Sequence, residues 1–542
     1  MQYNIADLME SIADVCPDRP ALASGDVHLT FGELDTRANR LAHFFTSRGV
    51  KAGDHVGLFL FNGHQYVETL LALMKIRAVG ININYRFVAP EVRYMIDNAD
   101  LRGIVAQRQF LPIIDKANEG MPPIPALITI EDGTNFVSSQ ETTDYEAAMA
   151  AGSPERGFAE RSGDDLFIIY TGGTTGMPKG VMWRHEDLFF SGLQGGAPSG
   201  DPVETPEEVA RNAAEENYCV SMLPCAPFIH GASQLTGFIC LLTGGKLVIQ
   251  PGKSFDPERV LDLIGEEEAT TLTIVGDAMA YPLLEQLERT DKSFDVSHLS
   301  VIASAGAILS PTNKAKLQAL LPDVMIINSF GSTESGDLGR AADDEESVDG
   351  RPTFYMDESV TVLDEMLNPI EPGSGVIGRL ARSGRLPLGY YKDEAQTNER
   401  FVTANGKRWV VPGDFATIEA DGRITFMGRG SKCINTGGEK VFPEEVEEAI
   451  KAHPDVIDAL VVGVPDPKWG STVGAVFNTK GNKPLSNEDL QAHCRQHVAG
   501  YKVPRVIVQR PVVERFPSGK PDYNWAEAIA KEAAGITPQG PS

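Results

Sequence analysis

The residues with the clearest chemical potential are Tyr-Thr-Gly-Gly-Thr-Thr-Gly-Met-Pro-Lys-Gly at 170–180. Glycines let backbone N–H groups approach an anion closely, threonine hydroxyls add donors, and Lys179 supplies a point positive charge. That mixture suits polyphosphate. A Walker A loop would need Gly at 178 and Ser or Thr at 180, where Pro178 and Gly180 stand, so the chain is not a P-loop NTPase. Four later stretches carry further polar or charged groups: Asn-Ser-Phe-Gly-Ser-Thr-Glu-Ser-Gly at 328–336, Trp-Val-Val-Pro-Gly-Asp-Phe-Ala at 409–416, the Gly- and Lys-containing segment 428–447, and Phe-Pro-Ser-Gly-Lys-Pro-Asp at 516–522. Each is weak alone, because Gly-Asp and Gly-Lys steps occur in ordinary turns.

Positioning these groups requires strands that end at them. The segments 166–170, 246–250, 271–275, 301–305 and 324–328 are short apolar runs followed by Gly, Pro or Ser, and several motifs sit directly after one. Residues 31–49 place Leu34, Ala38, Leu41 and Phe45 at helical spacing, 55–60 reads as a buried strand, and helical patterning returns after it. Such alternation predicts an α/β architecture with a large, layered N-terminal domain. Residues 191–217, rich in Gly, Pro and Glu, read largely as a surface insertion. From about 434 the texture becomes helix, strand, strand, helix, strand, which predicts a small α+β C-terminal domain. The expected divisions are 1–428 for the large domain, 429–433 for a hinge and 434–542 for the small domain.

Composition bounds the class of function. The 542 residues contain 75 Asp and Glu against 48 Lys and Arg, a formal charge of −27, opposite in sign to the basic footprint of nucleic-acid binders. The six cysteines form no C-x-x-C pair, so they read as reduced thiols without a zinc site. The first residues lack the basic start and apolar core of a signal peptide, and no apolar run reaches the ~18 residues of a membrane span. A cytoplasmic protein is expected, with no nucleic acid and no membrane span. A second copy of the chain, as a homodimer, is left open.

The 170–180 loop resembles the phosphate loop of the adenylate-forming superfamily of acyl-CoA synthetases, luciferases and peptide-synthetase adenylation domains. The other stretches follow in that family's order across nearly the whole chain. The resemblance implies ATP, Mg2+ and CoA as ligands. It implies that Thr171, Gly172, Gly173, Thr174, Thr175 and Lys179 hold phosphate, that Ala305, Gly306 and Ala307 lie near adenine, and that Phe330 stacks on adenine beside Asn328, Gly331 and Ser332. Thr333 would contact the α-phosphate and Glu334 would bind Mg2+, while Asp414 and Arg429 would reach the ribose. Pro412 stands where the family usually has a hydroxyl residue, so that contact is missing. Lys432 occupies the hinge position, Gly437, Gly438 and Trp469 would approach CoA, and Lys520 is the lysine that swings in for adenylation. His230 is the candidate gate of the acyl site.

Two half-reactions are therefore implied, acyl-adenylate formation from a carboxylic acid and ATP, then transfer to CoA. The segments 224–234, 273–280 and 304–310 would line the acyl site and contain no basic residue, while Asp277 is acidic. An apolar acid is expected. Most similar in texture are bacterial synthetases acting on fatty acids or steroid side-chain acids. Rival readings are delivery to a carrier protein, an aryl- or cinnamoyl-CoA ligase, luciferase-type oxidation, and a non-catalytic ATP- or acyl-binding protein. The presence of both Lys520 and Glu334 speaks against the last.

Overall fold

A computed structural model describes residues 1–171, 177–198, 200–307, 309–341, 353–429, 432–436, 439–466, 470–498, 500–516 and 519–536. The architecture is α/β, as the alternation predicts, with a large multi-sheet N-terminal part and a small α+β C-terminal part.

The largest sheet has eight strands. Six run parallel, in the order Met325–Ser332, Val301–Ser304, Thr271–Ile274, Met222–Pro224, Leu247–Ile249, Pro20–Ser24. Antiparallel partners, Gly336–Ala341 and Val27–Thr30, close the two edges. Leu223, Leu272, Ile302 and Ile326 are at most 1% exposed, as parallel strands covered on both faces require. A second, five-stranded sheet is parallel throughout and includes the expected strand His55–Phe59. A three-stranded sheet pairs Leu166–Thr171 with Lys179–Arg184 and then Gly389–Tyr390. A seven-stranded antiparallel sheet carries Asp414–Ile418 and Ile424–Arg429.

Helix signals behave as capping chemistry predicts. Phe31–Ser47 starts with a Thr30/Glu33 capping box and buries Leu34, Ala38, Leu41 and Phe45. Two expectations need correction. The strand expected at 324–328 continues to Ser332, so Phe330 and Ser332 lie on an edge hairpin. Within 191–217, Pro206–Ala214 is a helix that buries Val209, Ala210 and Ala213, with Val209 and Ala213 in the main core, so this segment contributes packing. Three small apolar residues suffice because the helix Ile5–Val15 supplies the facing surface.

The small part is a five-stranded sheet whose two longest strands, Val456–Asp466 at an edge and Gly470–Thr479 beside it, pair antiparallel. Pro443–Lys451 and Asn487–Cys494 share one core with it. A further helix, Tyr523–Ala533, packs through Ala526 and Ala530 on Leu460, Val462 and Val476. Among the described residues, no helix is long and apolar enough to cross a membrane.

Candidate active site

Thr171 and Lys179 are cross-strand partners in the antiparallel pair. Gly172, Gly173, Thr174 and Thr175 lie outside the described residues. Lys179 forms an ion pair with Asp393 at 3.1 Å, and its ammonium stands 5.8 Å from the centre of the Tyr390 ring. The lysine is thus oriented at the loop's exit. One residue earlier, Tyr94 donates to the Pro178 carbonyl at 3.0 Å.

Asn82, which carries no motif signal, ties this loop to the histidine segment. Its Oδ1 accepts from the Tyr170 amide, and its Nδ2 donates to the carbonyls of Tyr170 and Ile229, all at 2.7 Å. A buried side-chain amide satisfied at both ends is a rigid bracket. His230 follows as the N-cap of Gly231–Leu242. Desolvation, reinforced by the Lys520 ammonium and the Arg86 guanidinium, lowers His230 to about 3, so its imidazole is neutral at physiological pH.

A Cβ on Gly231 would stand 3.2 Å from Ile169 Cδ1 and 3.5 Å from the Thr333 hydroxyl, so the strand before the phosphate loop, the His230 segment and Thr333 converge. Trp183 Nε1 donates to the Thr333 carbonyl at 2.9 Å. Tyr390 donates to Glu334 Oε1 at 3.0 Å. Just beyond, Arg382 donates from Nη1 to the carbonyls of Ser335 (2.8 Å) and Asp337 (2.5 Å), and from Nε to the Ser359 hydroxyl at 3.1 Å. The Ser332 amide donates to Ser335 Oγ at 3.1 Å. The turn bearing Thr333 and Glu334 is held from four sides, by Trp183, Tyr390, Arg382 and Ser335.

Asn328 and Phe330 are half-buried on the edge hairpin. The Phe330 ring packs against Phe426 and Phe354, with centroids 4.7 and 5.4 Å away. Gly331 sits where a Cβ would lie 2.3 Å from the Gly336 carbonyl oxygen, so the hairpin can close only over glycine. On the adjacent strand end, the Ala305 amide donates to Ile274 at 3.1 Å, Gly306 takes φ +82°, and Ala307 packs on the neighbouring core.

Asp414 is buried and stands opposite Arg429 in the strand pair. The Arg429 side chain, with Gly437, Gly438 and Trp469, lies outside what is described. Pro412, which lacks a hydroxyl, offers its carbonyl to Arg400 at 3.2 Å. Lys432 rests with its ammonium 5.5 Å from the centre of the Tyr523 ring. Lys520 is exposed on a turn closed by two backbone hydrogen bonds at 2.8 Å, from the Phe516 amide to the Lys520 carbonyl and from the Gly519 amide to the Phe516 carbonyl. Gly519 takes φ +77° and lies against Val275 and Ala278 of the large part. The turn is thereby brought to the site that holds His230.

Asp277 is not an open acidic group in an acyl lining. It is paired with Lys451, a residue of the small part, at 3.1 Å. The sequence reading missed this partner, together with Asn82, Tyr390 and Arg382, because nothing near the motifs marks them.

Proteins of known identity match this arrangement along its full length. Residues 9–391 match the family described as AMP-binding enzyme, and 445–520 match the AMP-binding enzyme C-terminal domain. The chain is 44% identical to a 3-oxocholest-4-en-26-oate–CoA ligase of Rhodococcus rhodochrous, covering 99% of this chain and 97% of that protein. It is 43% identical to a medium/long-chain-fatty-acid–CoA/3-oxocholest-4-en-26-oate–CoA ligase of Mycolicibacterium smegmatis, covering 98% and 97%. ATP-bound MatB from Rhodopseudomonas palustris shares the fold with a TM-score of 0.80 at 23% identity, covering 98% of this chain and 99% of that one. The loop between Thr171 and Lys179, the braced Thr333–Glu334 turn and the small part carrying Lys520 therefore sit in a known frame, and the chain belongs to the AMP-binding enzyme family.

Proposed function

We propose that the protein is an ATP-dependent acyl-CoA synthetase that activates an apolar carboxylic acid, a fatty acid or a steroid side-chain acid, as its acyl-adenylate and passes the acyl group to CoA. The observation that carries this reading is the seating of the Lys520 turn, through Gly519, on Val275 and Ala278 of the large part. A cation from the small domain is thereby delivered where a carboxylate and an α-phosphate would meet. The names of relatives above 40% identity support the substrate class.

In the first half-reaction a carboxylate oxygen attacks the α-phosphorus, and the bond to the bridging oxygen breaks to release pyrophosphate. Two anions must approach, so catalysis is positioning and charge compensation. The loop 171–179 holds the phosphates, with Lys179 steered by Asp393. Thr333 presents its hydroxyl to the α-phosphate, and Lys520 neutralises charge between the two reactants. His230, neutral, adds no charge to the acyl entrance. Asp414 accepts from the ribose hydroxyls, with Arg429 opposite. The Thr333 hydroxyl and Glu334 carboxylate are hard oxygen donors of the type Mg2+ takes alongside substrate phosphates, and Tyr390 orients that carboxylate. Bound there, Mg2+ would neutralise phosphate charge.

In the second half-reaction the CoA sulfur attacks the acyl carbonyl carbon, AMP leaves, and the thiol proton passes to solvent. We assign 1–428 to the ATP- and acid-binding domain, 429–433 to the hinge, and 434–542 to a mobile domain. Rotation at Lys432 would withdraw Lys520 and bring Gly437, Gly438 and Trp469 to CoA. The absence of any C-x-x-C pair among the six cysteines of the sequence supports a cytoplasmic setting. The test is pyrophosphate release over a panel of short to long fatty acids, cinnamates and sterol side-chain acids, with and without CoA. Apolar acids should support release without CoA and thioester formation with it. Activity confined to amino acids would overturn the reading.

A further inference from the structure

The first turn of one helix of the large part, Gly276–Leu287, and the residue before it receive the small part at two points. One is the Lys520 turn, where a Cβ added to Gly519 would lie 3.0 Å from Val275 Cγ1 and 3.3 Å from Ala278 Cβ. The other is Lys451, whose ammonium donates to Asp277 Oδ2 at 3.1 Å. Asp277 is 5% exposed and Lys451 8%, so the pair is closed off from water.

Both partners are braced within their own domains. Asp277 Oδ1 accepts from the Ser310 amide at 2.9 Å and hydroxyl at 3.0 Å, and Ser310 caps the helix Pro311–Leu320. Burial alone would raise the Asp277 carboxyl, but the Lys451 charge and the Ser310 amide hold it below its ordinary value. Lys451 ends the helix Pro443–Lys451 and also meets Glu448, one turn back, at 2.6 Å. The Lys520 turn is bound to the same small-domain body. Arg515 pairs with Asp458 at 2.6 Å and donates from Nη1 to the Gly519 carbonyl at 3.2 Å. Lys451 and the Lys520 turn are thus linked within one packed body, through the shared core of helix and sheet and the Asp458–Arg515–Gly519 contacts.

We infer that Lys451 and Asp277 are positioning residues for adenylation: their interdomain ion pair seats the small domain so that Lys520 reaches the acid and the α-phosphate, and it must break before CoA can be used. The inference rests on the proposed role of Lys520. A buried pair of this kind is a poor source of net stability, because desolvation offsets attraction, but a lone buried charge is costly. Its energy is thus spent on selecting one domain orientation. Losing it shifts the population of orientations, by tenfold for every ~1.4 kcal/mol of differential interaction.

The experiment compares wild type, Lys451→Gln, Lys451→Arg, Asp277→Asn and the Lys451→Gln/Asp277→Asn double variant in two half-reactions and by hydrogen exchange. Pyrophosphate release should fall about tenfold in Lys451→Gln, recover to within about threefold in Lys451→Arg, and fall no further in the double variant, since the two residues act as a unit. Thioester formation from preformed acyl-adenylate and CoA should stay within about twofold in Lys451→Gln, because the pair is already broken in that step. Exchange of the amides at 516 and 519 should quicken in Lys451→Gln while the helix 443–451 keeps its protection. Equal loss in both half-reactions, or unchanged adenylation with unchanged exchange, would overturn the inference. If Lys451→Gln does not fold, Asp277→Asn decides by the same exchange and adenylation readouts. Lys520→Ala is run alongside. Full adenylation there refutes the role assigned to Lys520, and the exchange data still decide whether Lys451 seats the turn.

Discussion

The hydroxyl of Tyr390 donates to Glu334 at 3.0 Å, across 56 residues of chain, and the same ring lies 5.8 Å from the ammonium of Lys179. One aromatic side chain therefore braces the carboxylate assigned to Mg2+ and the lysine at the exit of the phosphate loop. Burial, and then the Glu334 charge, push the Tyr390 phenol well above its ordinary value, so it remains a donor at any working pH. Tyr390→Phe keeps the ring and removes the donor. The Mg2+ concentration for half-maximal pyrophosphate release should rise severalfold, corresponding to the ~1 kcal/mol of a typical hydrogen bond, with the acid KM unchanged. A magnesium titration checks it, and an unaltered midpoint refutes the bracing role.

Lys520→Ala should abolish adenylation while leaving thioester formation from preformed acyl-adenylate largely intact. Removal of a preorganised charge typically costs ~100- to 1,000-fold in rate. Retained pyrophosphate release would remove Lys520 from the first half-reaction.

Lys432→Pro tests the hinge. Proline fixes φ near −65° and takes away a backbone donor, which restricts the torsions a rotation needs. Adenylation should survive and thioester formation should fall by at least about tenfold. Equal impairment of both steps would show that the residue serves packing, through its contact with Tyr523, and not rotation.

His185 predicts a pH dependence of stability. It is 1% exposed, its Nδ1 accepts the Ile5 amide at 3.2 Å, and desolvation lowers it to about 4. Because the unfolded imidazole takes up its proton near 6.5 and the folded one does not until about 4, the unfolded state binds more protons in between. Stability should therefore fall as pH drops from 6.5 towards 4, with this group contributing on the order of 3 kcal/mol over that window. Urea midpoints against pH should show the loss, and His185→Gln should flatten it. An identical slope in the variant would assign the effect elsewhere.

The parallel strands within 246–250, 271–275, 301–305 and 324–328 were legible because each is a short apolar run ended by turn residues, a pattern that burial on two faces imposes locally, while Pro20–Ser24 and Met222–Pro224 were not. The order of the polar motifs, from Thr171 to Lys520, was also written in the chain, since each depends on residues adjacent in sequence. The course of 324–332 was less legible: the apolar run ends at 328, yet the pairing with Gly336–Ala341 and the packing of Phe330 on Phe426 carry the strand on to Ser332.

What the sequence determined by itself was the set of groups at hand: a Gly- and Thr-rich segment of a composition that suits phosphate, a carboxylate at 334, and a Gly-Lys step at 519–520. The tertiary structure alone decided how those groups are aimed. Asn82 joins Tyr170 to Ile229, Tyr390 finds Glu334, and Lys451 finds Asp277 across 174 residues. Such partners lie far apart in the chain and share no period or spacing with the motifs. Only the closing of several sheets on one another brings them within hydrogen-bond reach, where a buried polar group must find a partner or pay its full desolvation.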